Sequence, residues 1–216
     1  MLNIAAGTSS YTINNSLRIR RSASAYLNRT YSHSTQTYTY SFWMKKSPSN
    51  VSAEYIYGYY NGAGYSAGFR VDSDRLEFYS YALGYNAQVL TTQVLRDPSA
   101  WYHVVGVMDT TNATSTERIR LYINGVRVTA ATFTYPSQNF NTYLGSNLAW
   151  AWGISGGSTS GSTYFDGYLA EINVIDGQAL TPSSFGETDS VTGVWKAKKY
   201  TGTYGTGGYY LKFADT

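Results

Sequence analysis

Hydrophobic positions along this chain recur with a period of two, and three long runs set the frame. Residues 101–109 (WYHVVGVMD) are apolar at successive positions, as a strand buried on both faces must be. In the run ending at Val128, Ile119, Leu121 and Ile123 point one way, while Arg118, Arg120 and Tyr122 point the other. Asn124-Gly125 then supplies the two residues tolerant of positive φ that a tight hairpin turn requires. Between Phe165 and Asp176, Tyr168, Ala170, Ile172 and Val174 fall on one face, and Glu171 and Asn173 on the other. The alternation predicts long antiparallel strands over 101–109, 118–128 and 164–176, with Val104, Val105, Val107, Leu121, Ile123, Ile172 and Val174 buried.

Shorter runs repeat the signal. Leu17 and Ile19 alternate with Arg18 and Arg20; Tyr38, Tyr40, Phe42 and Met44 alternate with Thr37, Thr39, Ser41 and Trp43. Residues 54–60, 67–71, 76–81 and 87–90 read as further strands, separated by clusters of Gly, Pro, Asn, Asp and Ser. Helical periodicity is nearly absent; Thr181-Pro182 alone opens a helical turn, with Thr as N-cap and Pro at the first position. The Gly/Ser/Thr run 155–163 reads as a long exposed loop. The expected organisation is an N-terminal arm (1–12), one β domain (13–180) and a C-terminal extension with short strands (181–216).

Composition sharpens this. At 216 residues the chain suits one β-sandwich domain. It has no cysteine, so neither a disulfide framework nor a thiolate metal site is available. Charged residues make up 13%, about half the usual share, and the 23 tyrosines outnumber the 16 Lys and Arg, so the surface must be largely neutral and polar. A net charge of +3 is too mild to argue for nucleic acid. No segment approaches the roughly 18 continuous apolar residues of a membrane span. The N-terminal residues lack the basic and apolar regions of a secretory signal, so the Asn-x-Ser/Thr matches at Asn14, Asn28, Asn50 and Asn112 are read as chance.

Three segments carry a family resemblance: 101–105 (WYHVV), 121–125 (LYING) and 165–171 (FDGYLAE) resemble the signature strands of laminin-G-like, concanavalin A-like jelly-roll domains. Segments 11–18, 26–30, 41–45, 96–103, 135–138 and 177–187, with 195–206 and 211–215, are similar to tailed-bacteriophage tail-fibre and virion-surface structural proteins. That resemblance implies an all-β, concanavalin A-like (laminin-G-like) jelly-roll sandwich of two antiparallel sheets. It implies a virion component at the particle surface or tail, with other virion proteins as partners, in a homo-oligomer that would be a trimer in a fibre. It identifies no ligand. In that group the chain usually continues past the position of Asp215, so a short member or a fragment is expected.

Candidate chemistry is sparse. Asp72, Asp74 and Glu77 imitate the carboxylate spacing of sandwich-fold glycanases, whose nucleophile and acid stand about 5–5.5 Å apart in a cleft. Asp72 and Asp74 lie at a tight connection between two strand patterns, where a hairpin turn is the simpler reading, and the first position is Asp where the glycanases have Glu. Gly153-Ile-Ser155-Gly-Gly157 matches a nucleophile elbow in form, yet no helix pattern follows it. Gly62-Ala-Gly64 and Ala67 mimic a dinucleotide fingerprint but lead into a strand. Laminin-G-like domains often hold Ca²⁺ at a rim; the oxygen donors available for it are Asp109, Asn112, Asn147 and Asp166, with Asp109 equally able to cap its own turn. Two histidines and no cysteine disfavour Zn²⁺.

Two basic clusters, Arg18/Arg20/Arg21 and Lys196/Lys198/Lys199, read either as docking points for an acidic partner or anionic glycan, or as charges that protect sheet edges. The aromatics offer the sharper expectation. Tyr57, Tyr59, Tyr60 and Tyr65 flank one Gly-rich turn; Trp150, Trp152 and Tyr164 flank another. Such side chains suit sugar rings and subunit interfaces alike, and an exposed platform competes here with ordinary core packing. The leading functional expectation is a non-enzymatic phage virion protein, of fibre or surface-decoration type. It would present its jelly-roll for host-surface glycan binding or subunit packing, without cofactor, nucleic acid or membrane insertion. The alternatives are a purely structural virion joint and a glycan-cleaving enzyme on the same scaffold.

Overall fold

A computed structural model describes residues 11–31, 34–48, 51–61, 64–144, 148–156 and 164–214. Asn50, Gly62, Asn147 and Gly157, the loop positions 158–163 and the arm before Tyr11 lie outside the described residues.

Two antiparallel sheets stack face to face. The first runs β1 (Leu17–Ile19), β14 (Gly167–Asp176), β3 (Thr37–Lys46), β8 (Tyr102–Asp109), β9 (Ile119–Ile123), β10 (Val126–Arg127), with β17 (Tyr209–Leu211) also on β14. The second runs β11 (Ala130–Thr134), β7 (Tyr85–Val94), β6 (Arg75–Ala82), β5 (Tyr65–Asp72), β4 (Ala53–Tyr60), β12 (Leu148–Trp152), β2 (Leu27–Tyr31), with the short β13 (Ser155–Gly156) beside β4. The core lies between them. Tyr38, Tyr40, Phe42 and Met44 of β3 enter it on one parity, as the alternation predicts, and Ile119, Leu121 and Ile123 of β9 do the same. Gly106 in β8 has no side chain because the Phe69 ring of the opposite sheet reaches to within 2.3 Å of where a Cβ would stand.

The outward parity of β8 is buried as well, and the C-terminal extension explains why. Val105 and Val107 pack with Ile175 and Phe185 beneath Leu180, Tyr200 and Tyr204. The extension carries its own two-stranded ribbon, β15 (Gly186–Thr188) and β16 (Trp195–Ala197), which seats the Trp195 ring over Gly125 and Gly186. Its aromatics therefore find cover within the chain: Tyr200 on Phe185, Tyr210 on Glu171, Tyr209 on Trp152. The 3-10 turn at Pro182–Ser184 forms as expected, although the Thr181 hydroxyl bonds Ser183 and caps no backbone N–H.

Two predicted strands change on inspection. The run 118–128 is a hairpin, with Asn124 (φ 49°) and Gly125 (φ 80°) at its turn. In β14 the pairing slips: Ala170 opposes Trp43 but Asn173 opposes Ser41, so one extra residue bulges out around Glu171 (φ 48°). A bulge exchanges faces downstream. Leu169, Ile172 and Val174 thus enter the core, while Tyr168 and Ala170 face outward, against the single-face reading of Tyr168, Ala170, Ile172 and Val174.

His103 sits on the outer face of β8 and is 1% exposed. Its ring stacks between Trp43 (5.0 Å) and Trp195 (5.9 Å). The Trp195 indole N–H donates to Nδ1 (3.0 Å), which assigns the remaining proton to Nε2, facing the Ser41 hydroxyl at 2.9 Å. Burial pushes its pKa down to about 3. A proton on Nδ1 would also oppose the indole N–H. The depressed folded value means the unfolded chain binds more protons between about pH 6.5 and 3. Stability is fully present above pH 6.5, and His103 then removes about 1.4 kcal/mol per unit as pH falls through that window. Urea midpoints at pH 7, 5 and 4 will show the decline; His103→Gln should flatten it, and an unchanged slope in that variant would defeat the assignment.

Candidate functional site

The predicted aromatic platform does not assemble. Tyr57, Trp150 and Trp152 are core residues, 0%, 1% and 3% exposed, with the Tyr57 ring 4.4 Å from Trp152 and 5.5 Å from Trp150. Their shared parity was legible, but β4 and β12 are neighbours and both turn that parity inward. Tyr59 packs on Trp150 from the rim (5.6 Å), and Tyr164 is buried with Ala151 and Ile154. Tyr60 is exposed, and Tyr65 is half-buried like Tyr59, against Tyr143 at 5.0 Å.

The calcium donors are dispersed. Asp109 accepts from the Thr111 hydroxyl (2.6 Å) and the Asn112 amide (3.4 Å), so it caps its own turn. Asp166 lies beyond the other end of β3, paired with Arg18 at 2.6 Å. Ten residues of extended strand put roughly 30 Å between the two ends. Among the described residues, no group of three His, Cys, Asp or Glu side chains could hold a metal ion.

The glycanase-like carboxylates form no cleft. Ser73 (φ 50°) and Asp74 (φ 63°) make a tight turn joining β5 and β6, and the Ser73 hydroxyl bonds Asp72 (3.0 Å). Glu77 is bonded to Arg70, whose guanidinium also stands 3.5 Å from Asp72. That one cation thus engages both carboxylates. Ser155 opens β13 with no helix following among the described residues. The basic clusters are largely consumed inside the chain: Arg21 pairs with Glu54, Lys196 with Glu187 (3.2 Å) and Asp189 (3.3 Å), and Lys198 bonds the Ser183 carbonyl (3.1 Å).

A different site emerges on the outer face of the first sheet. Trp43 points outward from β3, flanked in register by His103 on one side and Ala170 on the other. The imidazole occupies one indole face. On the other side stands Ala170, itself 1% exposed, and a groove of about 380 Å³ borders the two residues. Trp101 and Ala197 border it. Its remaining wall is the segment Tyr11–Ser16, which presents Asn14 and Asn15.

That segment belongs to no strand, so something must hold it. The Tyr11 hydroxyl donates to Glu171 (2.8 Å) and lies 3.2 Å from the Tyr210 hydroxyl, which bonds the other carboxylate oxygen at 2.6 Å. The β14 bulge is what turns Glu171 outward to serve both ends of the chain. Burial and the Glu171 carboxylate raise the Tyr11 phenol above its usual range, so this latch stays protonated. Sequence reasoning passed over the groove. One signal was present: Trp43 falls among threonines and serine on the polar parity of β3.

Two stacked antiparallel sheets with this strand order define a jelly-roll sandwich. The chain belongs to the concanavalin A-like lectin/glucanases superfamily, whose laminin-G-type profile matches residues 20–184. Similar solved structures agree on the fold. Mouse laminin α1 domains LG4-5 give a TM-score of 0.56 at 15% identity, over 83% of this chain and 46% of that one. This chain thus spans under half of that laminin structure. The native heptameric SAP-like pentraxin of Limulus polyphemus gives 0.52 at 15%, over 86% and 87% of the two chains. The CBM40 of the Ruminococcus gnavus IT-sialidase, bound to α2,3-sialyllactose, gives 0.53 at 10%, over 79% and 94%. No curated protein matches the sequence.

Proposed function

We propose that this chain is a non-catalytic ligand-binding jelly-roll domain whose Trp43–Trp101 groove takes a saccharide. One observation carries the reading: a surface groove bordered by two half-buried indoles and edged by two exposed amides. Indole rings offer flat apolar plates to sugar C–H faces, and amides offer a donor and an acceptor each. A carbohydrate-binding module of the same fold supports the class. The sequence resemblance to tailed-phage proteins supports a place on the virion, in a tail fibre or as surface decoration. Host-surface glycan would be the ligand there, and other virion proteins the neighbours. The jelly-roll unit would be 13–180, with 181–216 as its cover.

Homo-oligomerisation, as a trimer in a fibre, belongs to the same proposal. Its contacts must lie elsewhere than the C-terminal aromatics, which are engaged within the chain. Mass in solution at micromolar concentration tests it, and a strict monomer would remove that part. A glycan array on the protein tests the binding role. Trp101→Ala should abolish the array signal while leaving the urea midpoint nearly unchanged. Reducing-sugar release from envelope polysaccharide would revive the enzyme alternative. A silent array with intact virion incorporation would favour a structural joint.

A further inference from the structure

We infer that the Trp43–Trp101 groove selects an uncharged saccharide and excludes sialylated or uronate-bearing chains; this rests on the groove being the binding site. Among the described residues its lining contains no charged side chain: tyrosine, threonine, isoleucine, asparagine, serine, tryptophan and alanine. Arg18 and Glu171, close to the groove in the fold, are both engaged. Arg18 is bound to Asp166 and to the carbonyls of Ile19 and Gly167, with its guanidinium 5.0 Å from the Tyr168 ring. Both Glu171 oxygens are taken by the hydroxyls of Tyr11 and Tyr210. Lys45 stands two residues beyond Trp43 on β3 but does not line the groove.

A carboxylate entering this hollow would shed water without gaining a cation, a cost that a neutral ring does not meet. What a neutral ring needs is present. Trp43 stacks on His103 and lines the groove, so the indole is held rigid at its border. Asn14 and Asn15, both exposed, can each bond a vicinal hydroxyl pair or an acetamido group. The volume of about 380 Å³ lies at the small end of ligand pockets, about 300–1,000 Å³, which fits a short stretch of saccharide. Binding without charge pairing is also nearly indifferent to salt.

The test titrates the full chain with three probes: N,N′-diacetylchitobiose, lactose, and α2,3-sialyllactose, which adds one carboxylate-bearing ring to lactose. Indole fluorescence and calorimetry provide the readouts. A neutral probe should bind, and sialyllactose should bind on the order of tenfold or more weakly than the better neutral probe. The neutral affinity should change by less than about twofold between low and high salt. Trp43→Ala should lose this binding; the double variant Asn14→Ala, Asn15→Ala, which removes both amides at exposed positions and keeps both indoles, should lose it too and guards against a folding artefact in the first variant. Sialyllactose binding best, with both variants losing it, overturns the neutral-ligand inference and leaves the groove as the site. Saccharide binding untouched by either variant overturns the groove itself. Failure of all three probes, followed by silence across a full array of neutral and acidic glycans, overturns both.

Discussion

Trp152→Ala is expected to lower stability by about 3–5 kcal/mol, the cost of emptying an aromatic site in a closed core. The indole is 3% exposed, stands edge-on to Phe42 at 5.3 Å and tilts against Tyr57 at 4.4 Å. Its N–H donates to the Tyr209 hydroxyl at 3.0 Å, so the variant also unpairs β17's anchor to the second sheet. For a domain of this size the melting temperature should fall by roughly 6–20 °C. Sugar binding per folded molecule should not change, because Trp152 faces away from the Trp43 groove. A loss below about 1 kcal/mol would mean that the ring is not enclosed. Undiminished stability with lost binding would restore Trp150 and Trp152 as a ligand platform.

The second large effect lies on the outer face of the second sheet. Glu77 is 1% exposed; its carboxylate meets Arg70 and accepts from the Gln88 amide at 2.5 Å. Arg70 further reaches the Tyr85 hydroxyl at 2.9 Å and lies 5.2 Å from the centre of the Tyr79 ring. Arg70→Ala strands a buried carboxylate, which should cost about 3–5 kcal/mol at pH 7. The double variant Arg70→Met, Glu77→Leu should recover most of the loss, since replacing both charges leaves nothing unpaired. Urea titrations at pH 7 decide this, and a single variant within about 0.5 kcal/mol of the parent, the range of ordinary surface changes, would show that the pair is solvated.

Much of the fold was legible because period-two patterning is local. The parity of β3, the inward face of β9 and the Asn124-Gly125 turn all follow from neighbouring residues. The β14 bulge is different: it exists only in the register between two strands far apart in sequence, so alternation placed Tyr168 and Ala170 on the face of Ile172 and Val174, which alone enter the core. Trp150 and Trp152 misled for a related reason. A Gly-rich neighbour makes a tryptophan look exposed, while parity alone does not say which side is in. The groove could not be assembled from the sequence at all. It joins Tyr11–Ser16, Trp43, Trp101, Ala170 and Ala197, which lie far apart along the chain.

Beside β14, β17 and β1 lie end to end. Leu211 opposes Ile172 and Leu17 opposes Leu169, and both short strands run antiparallel to β14. Together they form one interrupted edge strand, so the backbone traces a nearly closed circuit whose break is a gap in that strand. A short covalent bridge from Leu211 to Leu17 would complete the circuit without altering either sheet. New ends could then be opened at the exposed turn around Pro98. The order in which this chain is read from first residue to last is, to that extent, incidental to its architecture.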